Sequence, residues 1–163
     1  MKYKNDFKND LQYSHKGNNE INAFYYKHFS DLKNIESKDD LKTQFKGIDK
    51  ELQFNDGHII KIEEKKRRKD WGDILLEIWS NEATQRKGWL YTSQSDYIVY
   101  IIEPSKKVFL LKTLALRQWA IQNQDYIDSL PHKNAINDGY ITVNVAIPTE
   151  ELLTALETTE YYF

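Results

Sequence analysis

Residues 43–69 read TQFKGIDKELQFNDGHIIKIEEKKRRK. Two strand-like runs flank Asn55-Asp56-Gly57, and Asp-Gly between alternating apolar runs is a strong short-range hairpin signal. The hairpin puts Asp49 in its first strand and Glu63 and Lys65 in its second. Residues two apart on a strand share a face, so Glu63 and Lys65 point the same way. Asp49 and Glu63 flank the turn almost symmetrically. Their carboxylates are therefore expected within about 6 Å of each other, the reach over which two acids share an ion.

Working outward, Ile21, Phe24, Tyr25 and Phe29 recur at helical spacing, which predicts a helix over 18–33 with Asn18 or Asn19 as its cap. Residues 34–42 read as a charged connection. Beyond the hairpin, DILLEIWS (73–80) is a third strand, and DYIVYII (96–102) and KVFLLK (107–112) pair around Glu103-Pro104-Ser105. LALRQWAIQNQ (114–124) has helical spacing, GYITVNVAI (139–147) is a late strand, and Pro148 opens a short helix. The order predicts an α/β fold: helices flanking a mixed sheet with an antiparallel hairpin at its core, not a doubly wound parallel one. Residues 1–16 are a polar arm, and 17–163 are expected to form one domain.

The chain has 163 residues, no cysteine and a formal charge of −2. Thiol catalysis, disulfides and Cys-type zinc sites are excluded, and the balance rules out a globally basic protein that coats DNA. Charge is nonetheless uneven. Residues 65–69 read KKRRK, while the last fifteen hold Glu150, Glu151, Glu157, Glu160 and no base. No apolar run approaches the roughly 18 residues of a membrane span, and the N-terminus lacks the apolar stretch of a secretory signal. A cytoplasmic protein with no membrane partner is expected.

Close carboxylates repel unless a cation or proton lies between them. Magnesium takes hard oxygen ligands, so two acids and a lysine form a hydrolytic kit: metal to activate water, ammonium to steady developing charge. An acid-x-Lys triplet alone carries little information, since Asp6, Asp31, Glu36 and Asp40 also begin one. Glu63 differs because it closes an apolar strand and has an acid across a hairpin.

GID…DGHIIKIEEKKRRK resembles the motif of the PD-(D/E)XK nucleases, most closely the Holliday-junction resolvase type, in which an acid also stands on the first helix after a glycine. KGNNEINAFYYKHF (16–29) matches that feature through Gly17 and Glu20. The resemblance covers about residues 15–80. It implies a restriction-endonuclease-like fold and a DNA endonuclease dependent on Mg2+ or Mn2+, with branched DNA among its substrates. Asp49, Glu63 and Glu20 would be metal ligands and Lys65 the residue that activates water or stabilises charge. Lys66, Arg67, Arg68 and Lys69 would bind the DNA backbone. Junction resolvases act as dimers because a four-way junction offers two symmetric cuts, so a homodimer is implied. The motif's proline is Ile48 here, and Glu64 stands where an apolar residue is usual.

Glu64 and Lys66 form an overlapping triplet, so the register stays open, with Glu63 and Lys65 the better family match. Parity puts Glu64 on the buried face with Ile60 and Ile62. Glu77, a carboxylate within an apolar run, needs a partner and is a further site candidate. Trp71, Trp79, Trp89 and Tyr91 read as core residues, with Trp71 able to stack on a base if exposed. The four histidines show no ligand spacing. Two other classes of function compete: a nucleic-acid binder without catalysis, and a protein-interaction module of phage or mobile-element type using the acidic C-terminal helix.

Overall fold

The computed structural model describes residues 17–163; the expected arm over 1–16 lies outside the described residues. The first helix, α1 (17–28), sets Ile21, Phe24 and Tyr25 at i, i+3, i+4 over one face of a mixed six-stranded sheet. It stops short of the predicted end. Asp31 takes a left-handed conformation (φ 63°), and Leu32–Ser37 then forms strand β1, pairing with β2. Aspartate tolerates that region better than most side chains. The connection expected over 34–42 is thus part strand and part the short helix α2 (Leu41–Gln44).

The predicted hairpin is present. β2 (Lys50–Phe54) and β3 (Ile59–Arg67) are antiparallel, with Lys50 opposite Ile62 and Leu52 opposite Ile60. Gly57 at φ 90° makes the turn, and the Gly57 amide donates to Phe54 O at 3.0 Å. β6 (Tyr97–Ile102) lies parallel to β3, with Glu63 beside Ile98 and Lys65 beside Tyr100. β7 (Lys107–Lys112) returns antiparallel, and β10 (Glu160–Tyr162) closes the edge, giving the order β1-β2-β3-β6-β7-β10. β6 and the interior of β7 are apolar because both faces are covered. Val99, Ile101, Val108 and Leu110 face α1, while Ile98, Tyr100, Phe109 and Leu111 face a second core.

The parallel β3/β6 pair forces a long crossover. That excursion runs through β4 (Asp73–Asn81), β5 (Arg86–Lys87) and a one-turn helix, α3 (Trp89–Thr92). β4 does not join the hairpin. It pairs with β5 and with β9 (Tyr140–Pro148), and β8 (His132–Asn137) completes an antiparallel sheet ordered β5-β4-β9-β8. Ile74, Leu76, Val145 and Ile147 pack against β6 and β7 together with α3, α4 (Thr113–Gln122), α5 (Gln124–Ser129) and α6 (Thr149–Ala155). No helix among the described residues is long and apolar enough to cross a membrane.

Candidate active site

The two overlapping triplets of β3 fall on opposite faces of the mixed sheet, as strand parity requires. Glu64 and Lys66 face α1. The Glu64 carboxylate, 7% exposed, accepts from the Lys50 ammonium at 2.7 Å and the Tyr25 hydroxyl at 2.8 Å through Oε1, while Lys66 stands 3.5 Å from Oε2. Lys50 also donates to Asn22 (2.9 Å) and lies 5.5 Å from the centre of the Tyr25 ring. Burial holds the Lys50 ammonium below the ordinary lysine range, with Glu64 opposing the shift. Burial first, then the charge of Glu64, pushes the Tyr25 hydroxyl well above the ordinary range. This buried cluster supplies its own cation.

Glu63 and Lys65 face the other way, under the β3–β6 excursion. Glu63 is 4% exposed. Its Oε1 lies 2.5 Å from Lys65 Nζ, and its Oε2 is buried with no hydrogen-bond partner. Such an orphan is rare in native proteins. Gly47, at φ 66°, makes room for it: a Cβ there would stand 2.5 Å from Glu63 Oε2 and 3.0 Å from Ser93 Oγ. Ser93 is buried, bonded to Ser95 Oγ at 2.9 Å, and its carbonyl accepts from Arg117 at 2.6 Å.

Glu63 and Lys65 line a cavity of about 290 Å³ with Glu77, Arg86, Lys87, Trp89 and Ser93, and with Phe45 and Gly47 from the turn after α2. Glu77 Oε1 accepts from the Trp89 amide at 3.0 Å, so the carboxylate in the apolar run has found a partner and a site. Gly88 fits closely over it; a Cβ would stand 2.2 Å from the Glu77 carbonyl oxygen. Each cation of the cavity is backed by an aromatic ring. Lys65 lies 5.5 Å from the Trp89 ring, Arg86 5.8 Å from Phe45, and Lys87 4.0 Å from Trp79 and 5.1 Å from Tyr91.

The other expected site residues lie elsewhere. Asp49, just before β2, accepts the Glu64 amide at 2.7 Å through Oδ2, and its charge is felt by Tyr25 and Lys50 on the α1 side. It is thus engaged by the backbone of β3 and does not line the cavity. Glu20 is paired with Lys106 on the α1 side, in a small hollow with Lys66 and Phe163. Arg67 is held inside by Asp73 and donates to the Asp73 carbonyl at 3.0 Å. Arg68 and Lys69 are exposed at the strand end. Lys69 lies 5.6 Å from the ring of Trp71, which is 64% exposed and not a core residue. Gly47, Phe45, Arg86, Lys87 and Ser93 were not singled out by sequence; they converge from segments far apart in the chain, and the Gly-Trp pair at 88–89 was the only local signal. Comparison with protein-family models, curated proteins and solved structures finds no match for this chain.

Proposed function

We propose that this chain is a metal-dependent nuclease domain of the PD-(D/E)XK type that hydrolyses phosphodiester bonds of DNA in the Glu63 cavity. The observation that carries the reading is the buried carboxylate of Glu63, its Oε2 without a partner, in the lining of a cavity shared with Lys65 and a second carboxylate, Glu77. The fold is compatible with it: a mixed sheet holds the antiparallel hairpin, α1 covers one face, and a second, antiparallel sheet with α3–α6 covers the other.

The residues fit a divalent ion of the magnesium type. Among the described residues no group of three Asp, Glu or His side chains converges on one point. Mg2+ needs fewer, being commonly held by one or two carboxylates with water filling the remaining positions. Glu63 would hold it, with Glu77 in the same wall and Asp49 beside it. When bound, the ion supplies a Lewis acid for the phosphoryl oxygen and lowers the pKa of water. Lys65, fixed by Glu63 Oε1 and the Trp89 ring, presents an ammonium to charge developing on the phosphate. Arg86 and Lys87 hold the phosphate at the rim. Their two charges and that of Lys65 exceed the two carboxylates, so the cavity attracts an anion before any metal enters. Lys69 and Trp71 extend the basic and aromatic surface beyond the end of β3.

One observation favours a second reading, a nucleic-acid binder that does not cleave: Asp49 Oδ2 is already engaged by a backbone amide and Glu64 by Lys50. The test is cleavage of labelled single-stranded, duplex and branched DNA with Mg2+, Mn2+ or EDTA, by wild type, Glu63→Gln and Lys65→Met. Metal-dependent cutting lost in both variants is expected. Binding without cutting on any DNA moves the assignment to the second reading. Equal cutting by wild type and Glu63→Gln excludes this cavity.

A further inference from the structure

The cavity's shape restricts the form of nucleic acid that can reach Glu63. Its volume of about 290 Å³ is at the lower end of pockets that enclose a small ligand, roughly 300–1,000 Å³. Glu63 is in its lining and only 4% exposed. A duplex is stiff, with a persistence length of about 50 nm, and its phosphates follow a smooth surface. It cannot draw one phosphate into a concavity of this size without unstacking. A single strand bends at each nucleotide.

The rim carries what a single strand needs. Phe45, on the turn that closes α2, is a large apolar side chain that is 71% exposed. Its ring stands open beside the cavity with the Arg86 guanidinium 5.8 Å from its centre. Lys87 follows Arg86 on β5, and the Ser80 hydroxyl fixes this short strand by bonding to both the Arg86 and Lys87 carbonyls at 3.2 Å. The turn bearing Phe45 is tied down too: the Gln94 amide donates to Lys46 O at 2.7 Å and the Gly47 amide to Gln44 O at 2.9 Å. An exposed ring on a fixed turn, next to cations on a fixed strand, is the pairing of stacking platform and backbone contact that binds unpaired bases.

We infer that the substrate is single-stranded nucleic acid, or a strand unpaired at the scissile step, with one base stacked on Phe45 and the adjoining phosphate held by Arg86 and Lys87. The inference rests on the phosphodiester reading of the Glu63 cavity. It is tested by anisotropy of a labelled oligothymidylate and of a blunt duplex of equal length, in EDTA, with wild type, Phe45→Ala and Phe45→Trp. Phe45→Ala should weaken single-strand binding about 5- to 150-fold, the range for loss of one stacked base. Phe45→Trp should restore it, and duplex affinity should not follow Phe45. Unchanged single-strand affinity in Phe45→Ala, or equal loss on both forms, overturns the inference. Cleavage of the same oligothymidylate with Mg2+ separates the two claims. Cutting with Phe45-independent binding leaves the nuclease and removes the stacking site. Phe45-dependent binding without cutting leaves the stacking site and removes the nuclease.

Discussion

Replacing Glu63 by Gln should stabilise the metal-free protein and abolish its response to metal. Wild-type Glu63 buries a carboxylate oxygen without a partner, at a cost of about 1–3 kcal/mol for an unsatisfied polar group. The ion pair with Lys65 returns little, because the lysine side chain is 30% exposed and partly solvated pairs contribute about 0–1 kcal/mol. Glutamine keeps the shape and still leaves a polar amide atom unpartnered, but it removes the buried charge, which costs more than a neutral group, so Glu63→Gln should gain about 1 kcal/mol in EDTA. For a domain of this size that is a rise in Tm of roughly 2–4 °C. On the proposed reading, metal should reverse the order. A ligand at a hundred times its Kd stabilises the native state by about 2.7 kcal/mol, and only wild type should show that gain. Thermal unfolding of both proteins, in EDTA and across a Mg2+ titration, reads both effects. A variant less stable than wild type in EDTA, or one with an equal metal-induced shift, would refute the reasoning, because Glu63 would then be an ordinary structural carboxylate.

Lys50→Met leaves Glu64 buried beside Tyr25 without its main cation and should cost about 3–5 kcal/mol; in Lys50→Met/Glu64→Leu most of that loss should disappear, and urea midpoints of the two variants give the comparison. The Tyr25 hydroxyl titrates above its unfolded value, so its contribution is complete below about pH 10 and is lost as pH rises through the higher folded value. Tyr25→Phe should therefore lose about 1.5–3 kcal/mol at neutral pH, the value of a hydrogen bond to a charged group, and show a shallower alkaline decline in stability measured between pH 8 and 11. Gly88→Ala should cost about 1–3 kcal/mol by overpacking, because its Cβ meets the Glu77 backbone at 2.2 Å; an unchanged urea midpoint would mean that the Glu77 segment moves freely.

Where local chemistry decides structure, the sequence was readable. Asp-Gly placed the hairpin, helical spacing placed Ile21, Phe24 and Tyr25 over the sheet, and parity put Glu64 on the α1 face with Ile62. What escaped depended on distant or compensated contacts. DILLEIWS looks like the hairpin's neighbour but pairs with β9, about seventy residues on, and no short-range signal encodes that choice. β8 is exposed along its whole length, so it has no alternation to detect. The α1 boundary turned on one residue, Asp31, adopting a conformation that most side chains avoid. The cavity was half legible. Glu63, Lys65 and Glu77 could be named, each as an acid or base in an unusual place, but Phe45, Arg86 and Lys87 look like ordinary surface residues until the fold assembles them.

The two registers on β3 can be separated by counting partners. Glu64 has two strong donors on one oxygen, a lysine near the other, and a cation drawn from the chain itself. Glu63 has a single lysine on one oxygen and nothing on the other, beneath a glycine whose missing Cβ leaves room beside it. A buried polar atom without a partner is uncommon in folded proteins. The saturated triplet is therefore the structural one, anchoring α1 to the sheet. On the proposed reading the unsaturated triplet is the one that would take an external cation, and the β3–β6 excursion that roofs it follows from making those two strands parallel.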